Sequence, residues 1–178
     1  MALAAMLLVG AWSALSARAG LFHHPVTAPE LKAKIAKQRN LVKKAELQMR
    51  LAGLILQRAV QAYDANHFRR GETLLNRYLD EARTSWQTLE QSRKNPLRQP
   101  EGFMQLDQAF TANDRILGDL HRRIAYPESE VIKKAQAASR NIHGQVLDAL
   151  FPGLHMRRTV RPVTPSPRNL KRQAGVVR

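Results

Sequence analysis

Apolar side chains return at every third or fourth position along residues 31–150. This period belongs to one face of an α-helix, and no stretch of the sequence alternates with the period of two that indicates a strand. The pattern therefore predicts an all-α fold. Because short connections make neighbouring helices antiparallel, we expect one antiparallel bundle domain over residues 28–153. Its four predicted helices cover approximately residues 28–65, 68–94, 101–125 and 128–151.

The first predicted helix is also the longest. Thr27, Pro29 and Glu30 form a helix-start pattern, with a capping threonine, a proline in the first turn and an acid at the capping-box position. Two rows of positions, each spaced by seven residues, then follow the helix. The first row holds Ile35, Val42, Met49, Leu56 and Tyr63, and the second holds Leu31, Gln38, Ala45, Ala52 and Ala59.

The two halves of this helix have different surroundings in the prediction. Residues 47–63 are apolar nearly all round, which is typical of a helix enclosed by protein. Residues 31–46 carry a narrow apolar stripe among many lysines. We expect this first half to extend beyond the bundle or to touch a single partner helix, and its coiled-coil-like stripe permits homo-oligomerisation.

The segment from Ala59 to Ala82 resembles a single degenerate hairpin of the tetratricopeptide type. The resemblance is carried by Ala59, Phe68, Gly71, Leu75 and Tyr78, and no second copy follows at the family's period of 34 residues. It implies a helical scaffold that binds a partner, and it implies no catalytic residues.

The N-terminal residues predict export. An apolar run from Ala2 to Leu15 is followed by small residues at positions 17 and 19, which fit a signal peptide over residues 1–19 with cleavage after Ala19. Residues 20–27 would then be a short N-terminal extension, and the protein would be periplasmic or extracellular. No basic residue precedes the apolar run, so an uncleaved membrane anchor and an ordinary helix remain open alternatives.

Positive charge dominates the sequence, with a formal net charge of +15. Such a charge attracts anionic partners but does not choose among them. Residues 154–178 are basic, contain several prolines and carry no acid, so we expect a disordered tail. Its candidate residues for binding an anionic partner are Arg157, Arg158, Arg161, Arg168, Lys171 and Arg172.

Residue patterns for catalysis are missing from the sequence. With no cysteine, no Gly-x-Ser-x-Gly and no Glu-x-x-His, it offers no thiol chemistry, nucleophile elbow or helical di-metal motif. We predict no enzyme, no catalytic residue, no cofactor and no metal site. His121, His143 and His155 have neither a carboxylate nor a second histidine at i+4, and we expect them to face solvent.

These features favour a non-enzymatic, exported helical interaction or scaffold protein whose basic arm associates with an anionic partner. That partner would be an envelope polymer, a lipid or an acidic protein surface. The alternative is a basic nucleic-acid-binding protein, which would apply if the N-terminal segment is not an export signal.

Overall fold

The structure, a computed structural model, describes residues 27–153. This part of the chain forms five helices and no strand, which confirms the predicted all-α helical bundle. The helices are α1 (Ala28–Lys37), α2 (Leu41–Asp64), α3 (Phe68–Gln91), α4 (Glu101–Arg123) and α5 (Glu128–Leu150). The predicted signal segment 1–19, residues 20–26 and the predicted disordered tail 154–178 lie outside the described residues.

The prediction of one long first helix over residues 28–65 is wrong, because the chain breaks between α1 and α2. Gln38 and Asn40 have extended backbone angles, with ψ of 117° and 112°. The Asn40 side chain caps the new helix, accepting hydrogen bonds from the backbone N–H groups of Val42 and Lys43 at 3.0 and 3.3 Å. The Gln38 side chain in turn accepts from the Asn40 N–H at 3.1 Å.

Because of this break, α1 turns back along α2. In one continuous helix, Leu31 and Met49 would be roughly 27 Å apart. In the structure both residues line the same groove, and Leu31 is only 2% exposed. Folding back therefore buries an apolar side chain that a straight helix would leave in water. Helix α1 contacts chiefly α2, in keeping with the expected single partner helix, whereas residues 41–46 belong to α2 and pack against α3 and α4.

The predicted turn between the first two long helices is present at residues 65–67. Asn66 adopts a left-handed backbone with φ of 57°, a conformation that asparagine tolerates better than most residues. The N–H of His67 then donates to the Ala62 carbonyl at 2.8 Å, closing the end of α2. The chain thereby reverses within three residues and α3 packs antiparallel on α2.

Helices α2 to α5 form a four-helix bundle in which α2 contacts α3, α3 contacts α5, α5 contacts α4 and α4 contacts α2. Helices α3 and α4 hardly touch, so the connection over residues 92–100 crosses the bundle diagonally. As a result the parallel helices α2 and α4 are neighbours, whereas in an all-antiparallel arrangement every neighbouring pair would be antiparallel. Three pairs of neighbouring residues show the parallel direction, because the residue number rises along both helices from one pair to the next. The pairs are Val42 with Gly102, Gly53 with Asn113, and Asp64 with Arg123.

Small residues allow α2 and α3 to approach closely. Ala45, Ala52 and Ala59 on α2 are fully buried, as the alanine row in the sequence predicts. A Cβ added to Gly71 of α3 would lie 2.5 Å from the ring of Tyr63, so only glycine fits there without displacing that buried ring. This pair makes the most extensive contact between any two helices of residues 27–153.

Candidate binding surface

Five lysines form a basic face on α1 and the first turn of α2. They are Lys32, Lys34, Lys37, Lys43 and Lys44, all within six residues of the break at 38–40. Lys44 is half-buried, and the other four are exposed. Within residues 27–153, none of the five takes part in an ion pair. The fold-back of α1 thus brings together positive charges that are free to meet an anion.

The two acids in the same segment as the basic face each accept a hydrogen bond from an uncharged group. Glu30 accepts a hydrogen bond from the Thr27 N–H at 3.0 Å, as the capping-box pattern predicts. Glu46 accepts from the side-chain amide of Gln105 when that amide turns its NH2 group toward the carboxylate. No other acid occurs in residues 27–50, and Glu101 at the start of α4 shares a pocket with Val42, so the lysines outnumber the acids around them.

Charges on α4 and α5 are arranged differently, because acids and bases of the two helices pair with each other. Asp114 accepts from Arg140 through both of its carboxylate oxygens, at 2.7 and 3.0 Å, and from Gln136 at 3.0 Å. The hydrogen bond from Arg140 holds the pKa of Asp114 below its ordinary value, and Asp114 in turn raises the pKa of Arg140. The net charge of α4 and α5 together is close to zero.

A groove with a volume of about 760 Å³ lies between the parallel helices α2 and α4. The helices are in contact near Val42 and Gly102 at one end and near Asp64 and Arg123 at the other. Between these ends the lining includes Gly53, Ala109 and Ala112, whose small side chains leave the space open. The larger apolar lining residues are Leu31, Leu47, Met49, Leu54 and Leu106.

Polar side chains border the groove at its mouth. Arg50 and Gln57 on α2 are exposed, and neither makes an ion pair within residues 27–153. Glu46 and Gln105 contact each other across the groove, so the carboxylate has a partner. Arg50 is the basic side chain at the rim, where Glu46 is the acidic one, and it lies one heptad beyond Lys43 of the basic face on the same side of α2.

Inside the bundle, a buried polar contact joins α3 to α5. The Tyr78 hydroxyl lies 2.7 Å from Ser139 Oγ, and both side chains are almost completely buried. Burial raises the pKa of Tyr78, so its phenol stays neutral. A satisfied contact of this kind fixes how the two helices align, and nothing near it provides a nucleophile with an activating base.

The prediction that His143 faces solvent is wrong. Its Nε2 lies 2.6 Å from Asp107 Oδ1, its ring stacks on Phe110 at 5.4 Å, and its side chain is 17% exposed. His121 is also partly buried, with Nδ1 3.0 Å from the Ser129 carbonyl oxygen. Both partners come from another helix or its preceding turn. A search for carboxylates at i+4 on the same helix cannot find them.

The remaining predicted site residues are those of the basic tail and His155. The tail residues proposed to bind an anion, from Arg157 to Arg172, lie outside the described residues, as does His155.

Within residues 27–153, no group of three or more metal-binding side chains comes together. None of the helices in that range combines the length and apolar character that a bilayer span requires. No protein-family model, no curated protein and no solved structure matches this chain.

Proposed function

We propose that this chain is a non-enzymatic, exported helical interaction protein that associates through positive charge with an anionic component of the cell envelope. The observation that carries the proposal is the basic face, with its five lysines and no ion pair within residues 27–153. Unpaired surface cations that lie within a Debye length of one another, about 8–10 Å at physiological salt, act together on an anionic surface.

The fold-back at residues 38–40 supports this proposal because it determines where the lysines lie. In one straight helix, the lysines of α1 would extend away from the bundle along roughly 15 Å of helix. Folded back, the ten residues of α1 lie against α2 with Leu31 buried between them. The lysines are then presented by a rigid surface, which reduces the ordering that binding would require.

The basic tail belongs to the same proposal. Residues 151–178 carry seven basic side chains and no acid, so the whole chain has two regions of excess positive charge. Contacts from Arg157, Arg158, Arg161, Arg168, Lys171 and Arg172 would add to those of the basic face. Charges near an anionic membrane contribute about 1 kcal/mol each, so the two regions together favour firm attachment.

The bundle would act as the scaffold. Between Ala59 and Ala82 the chain forms the hairpin of α2 and α3, the segment whose residues resemble a tetratricopeptide-type hairpin. In the proposal, this hairpin supports both the basic face and the groove, which meet at Leu31 of α1. No step of the proposed function requires a reaction.

Vesicle co-sedimentation with the full chain tests the electrostatic part of the proposal. We expect association with phosphatidylglycerol vesicles at low salt, no association with phosphatidylcholine vesicles, and release as salt is raised. Changing the five lysines of the basic face to glutamine should weaken binding by more than roughly tenfold. Failure to bind anionic vesicles, lipopolysaccharide and acidic glycans at low salt would overturn the proposal.

A control variant separates the basic face from net charge alone. Five exposed arginines away from the basic face can be changed to glutamine, which removes the same total charge: Arg58, Arg69, Arg70, Arg77 and Arg115. We expect this variant to retain most of its vesicle binding. Equal loss in both variants would show that the basic face has no special role. Tighter, steeply salt-dependent binding to duplex DNA would favour the nucleic-acid alternative instead.

The export part of the proposal has its own test. N-terminal sequencing of the protein from fractionated cells should give a mature chain that begins at Gly20 in the envelope or secreted fraction. An intact chain recovered only from the cytosol would contradict export, whatever the vesicle result.

A further inference from the structure

The groove between α2 and α4 is an apolar surface that the rest of residues 27–153 leaves uncovered. Leu47, Leu54 and Ala109 in its lining are only partly buried, although they pack against the core from below. Its volume of about 760 Å³ is within the range of roughly 300–1,000 Å³ that is typical of sites for small molecules. Such sites occur between the helices of bundles and combine an apolar lining with a few placed polar groups.

The length and shape of the groove favour an unbranched apolar ligand. On α2 its lining extends from Glu46 to Gln57, which corresponds to roughly 16 Å along the helix. Over that distance the floor consists of leucines separated by Gly53, Ala109 and Ala112. A narrow trough of this kind fits an extended alkyl chain, and each buried methylene contributes about 0.8 kcal/mol.

The charged side chains around the groove indicate which head group such an alkyl ligand would carry. Arg50 at the rim has no partner in an ion pair within residues 27–153, and the nearby Glu46 is held by Gln105. Lys32 and Lys34 flank Leu31 on α1, one on each side of its buried stripe. With Glu46 as the one acidic lining residue against Arg50, Lys32 and Lys34, an anionic head group at Arg50 would find more positive than negative charge around it, whereas a second copy of this chain would bring a like-charged basic face.

We propose that the α2–α4 groove binds a single-chain anionic amphiphile, with its alkyl chain against Leu31, Leu54 and Leu106 and its head group at Arg50. This inference rests on the proposed function, since it names a lipid-like molecule as the anionic component. It adds a defined site to an association that would otherwise be electrostatic alone.

Titration calorimetry with monomeric dodecyl phosphate and the full chain tests the inference. We expect saturable binding at one site, with at least roughly tenfold weaker binding of the uncharged dodecyl maltoside, because one charge-assisted hydrogen bond contributes about 1.5–3 kcal/mol. Inorganic phosphate should not bind measurably. If inorganic phosphate binds as tightly as dodecyl phosphate, the groove has no part in recognition and the inference fails.

Two substitutions locate the ligand. Ala112→Leu fills the groove from an exposed helix position and should weaken dodecyl phosphate binding by at least roughly tenfold. Arg50→Gln should weaken dodecyl phosphate by a similar factor and leave dodecyl maltoside unchanged. Matched controls on exposed positions elsewhere are Ala137→Leu on α5 and Arg77→Gln on α3, and both should bind as the unmodified chain does. Unchanged binding in Ala112→Leu would overturn the proposal.

This experiment also separates failure of the groove from failure of the proposed function. The variant with five lysines changed to glutamine keeps every residue that lines the groove. If the full chain binds anionic vesicles but not monomeric dodecyl phosphate, the groove proposal is wrong and the electrostatic function stands. If it binds dodecyl phosphate but no envelope component, the converse holds. A saturable complex with an acidic amphipathic peptide that Ala112→Leu abolishes, without dodecyl phosphate binding, would replace the amphiphile by a helical partner.

Discussion

The interface between α2 and α3 and the interface between α4 and α5 hold their helices together in different ways. Between α2 and α3, buried alanines and Gly71 permit close approach, and the Ser85 hydroxyl donates to the Ala45 carbonyl at 2.8 Å. Between α4 and α5, charged and polar side chains reach across, as in the contacts of Asp114 with Arg140 and Asp107 with His143.

This difference between the two interfaces affects which charged side chains on the surface are left without an ion-pair partner. Helices α4 and α5 carry seven acids and six lysines and arginines, which pair across the interface, as Asp114 with Arg140, or within one helix, as Asp119 with Arg122. That side therefore has little net charge to offer a partner. Helices α1 to α3 carry the same number of acids, seven, but eleven lysines and arginines, and they pack largely by shape. Many of these basic side chains are therefore left without ion-pair partners within residues 27–153. Close packing of small residues thus permits a strongly basic surface, because stability there does not depend on ion pairs.

Substituting Gly71 by alanine should have the largest effect on this comparison. The added methyl group would meet the buried Tyr63 ring at 2.5 Å, and relieving such overpacking costs about 1–3 kcal/mol. Urea unfolding measures the loss of stability. The control is Gly144→Ala on α5, where nothing lies within 4 Å of the new methyl group. It should be neutral or stabilising by up to about 1 kcal/mol. Equal behaviour of the two variants would break the comparison.

The contact between Tyr78 and Ser139 joins α3 to α5, and substitutions at the two positions test how much it contributes to stability. Tyr78→Phe leaves the buried Ser139 hydroxyl without this partner and should destabilise the protein by about 1–2 kcal/mol. In the double variant Tyr78→Phe/Ser139→Ala, part of that loss should be recovered. Unfolding free energies of the four proteins give the coupling energy. Strict additivity would show that α3 and α5 are not joined through this pair.

Removing the side chain that caps α2 should have a somewhat smaller effect. Asn40→Ala loses the acceptor for the N–H groups of Val42 and Lys43 and should cost about 1 kcal/mol in thermal or urea unfolding. Asn40→Asp keeps an acceptor at the same position and should retain most of the stability. If alanine were as stable as asparagine here, the break at 38–40 would not depend on this cap.

The ion pair of Asp114 should give the smallest effect, because Arg140 is largely exposed to solvent. Asp114→Asn should cost less than about 1 kcal/mol at neutral pH. Arg140 lowers the pKa of Asp114, so this stabilisation is complete above the ordinary aspartate pKa of roughly 4 and is lost as pH falls through the lowered value. The difference in unfolding free energy between the two proteins should therefore shrink in acid. A difference that stays constant down to about pH 3 would contradict the assignment.

Periodicity alone was sufficient to predict most of the helical part of this fold. The predicted spans 68–94, 101–125 and 128–151 lie close to the observed helices α3, α4 and α5. The break at 38–40 was not predicted, because the seven-residue spacing from Leu31 to Ala59 continues through it. Asn40 was the available signal, since asparagine is a favoured capping residue, but a cap inside an apparently continuous stripe is easily overlooked.

Contacts between distant parts of the chain could not be predicted from one sequence. Asp107 and His143 are 36 residues apart, and only the antiparallel packing of α4 and α5 brings them together. The groove depends on α2 and α4 being neighbours, which in turn depends on the diagonal path of residues 92–100. Local patterns carry no information on that path.

The diagonal connection also has a consequence for how the chain folds. It leaves α2–α3 and α4–α5 as two hairpins whose own contacts are close in sequence, and such contacts form quickly. Docking of the two hairpins is then the step with the greatest loop-closure cost. We expect substitutions at Gly71 to change the folding rate, and substitutions at Ser139, which joins the hairpins, to change mainly the unfolding rate in stopped-flow measurements.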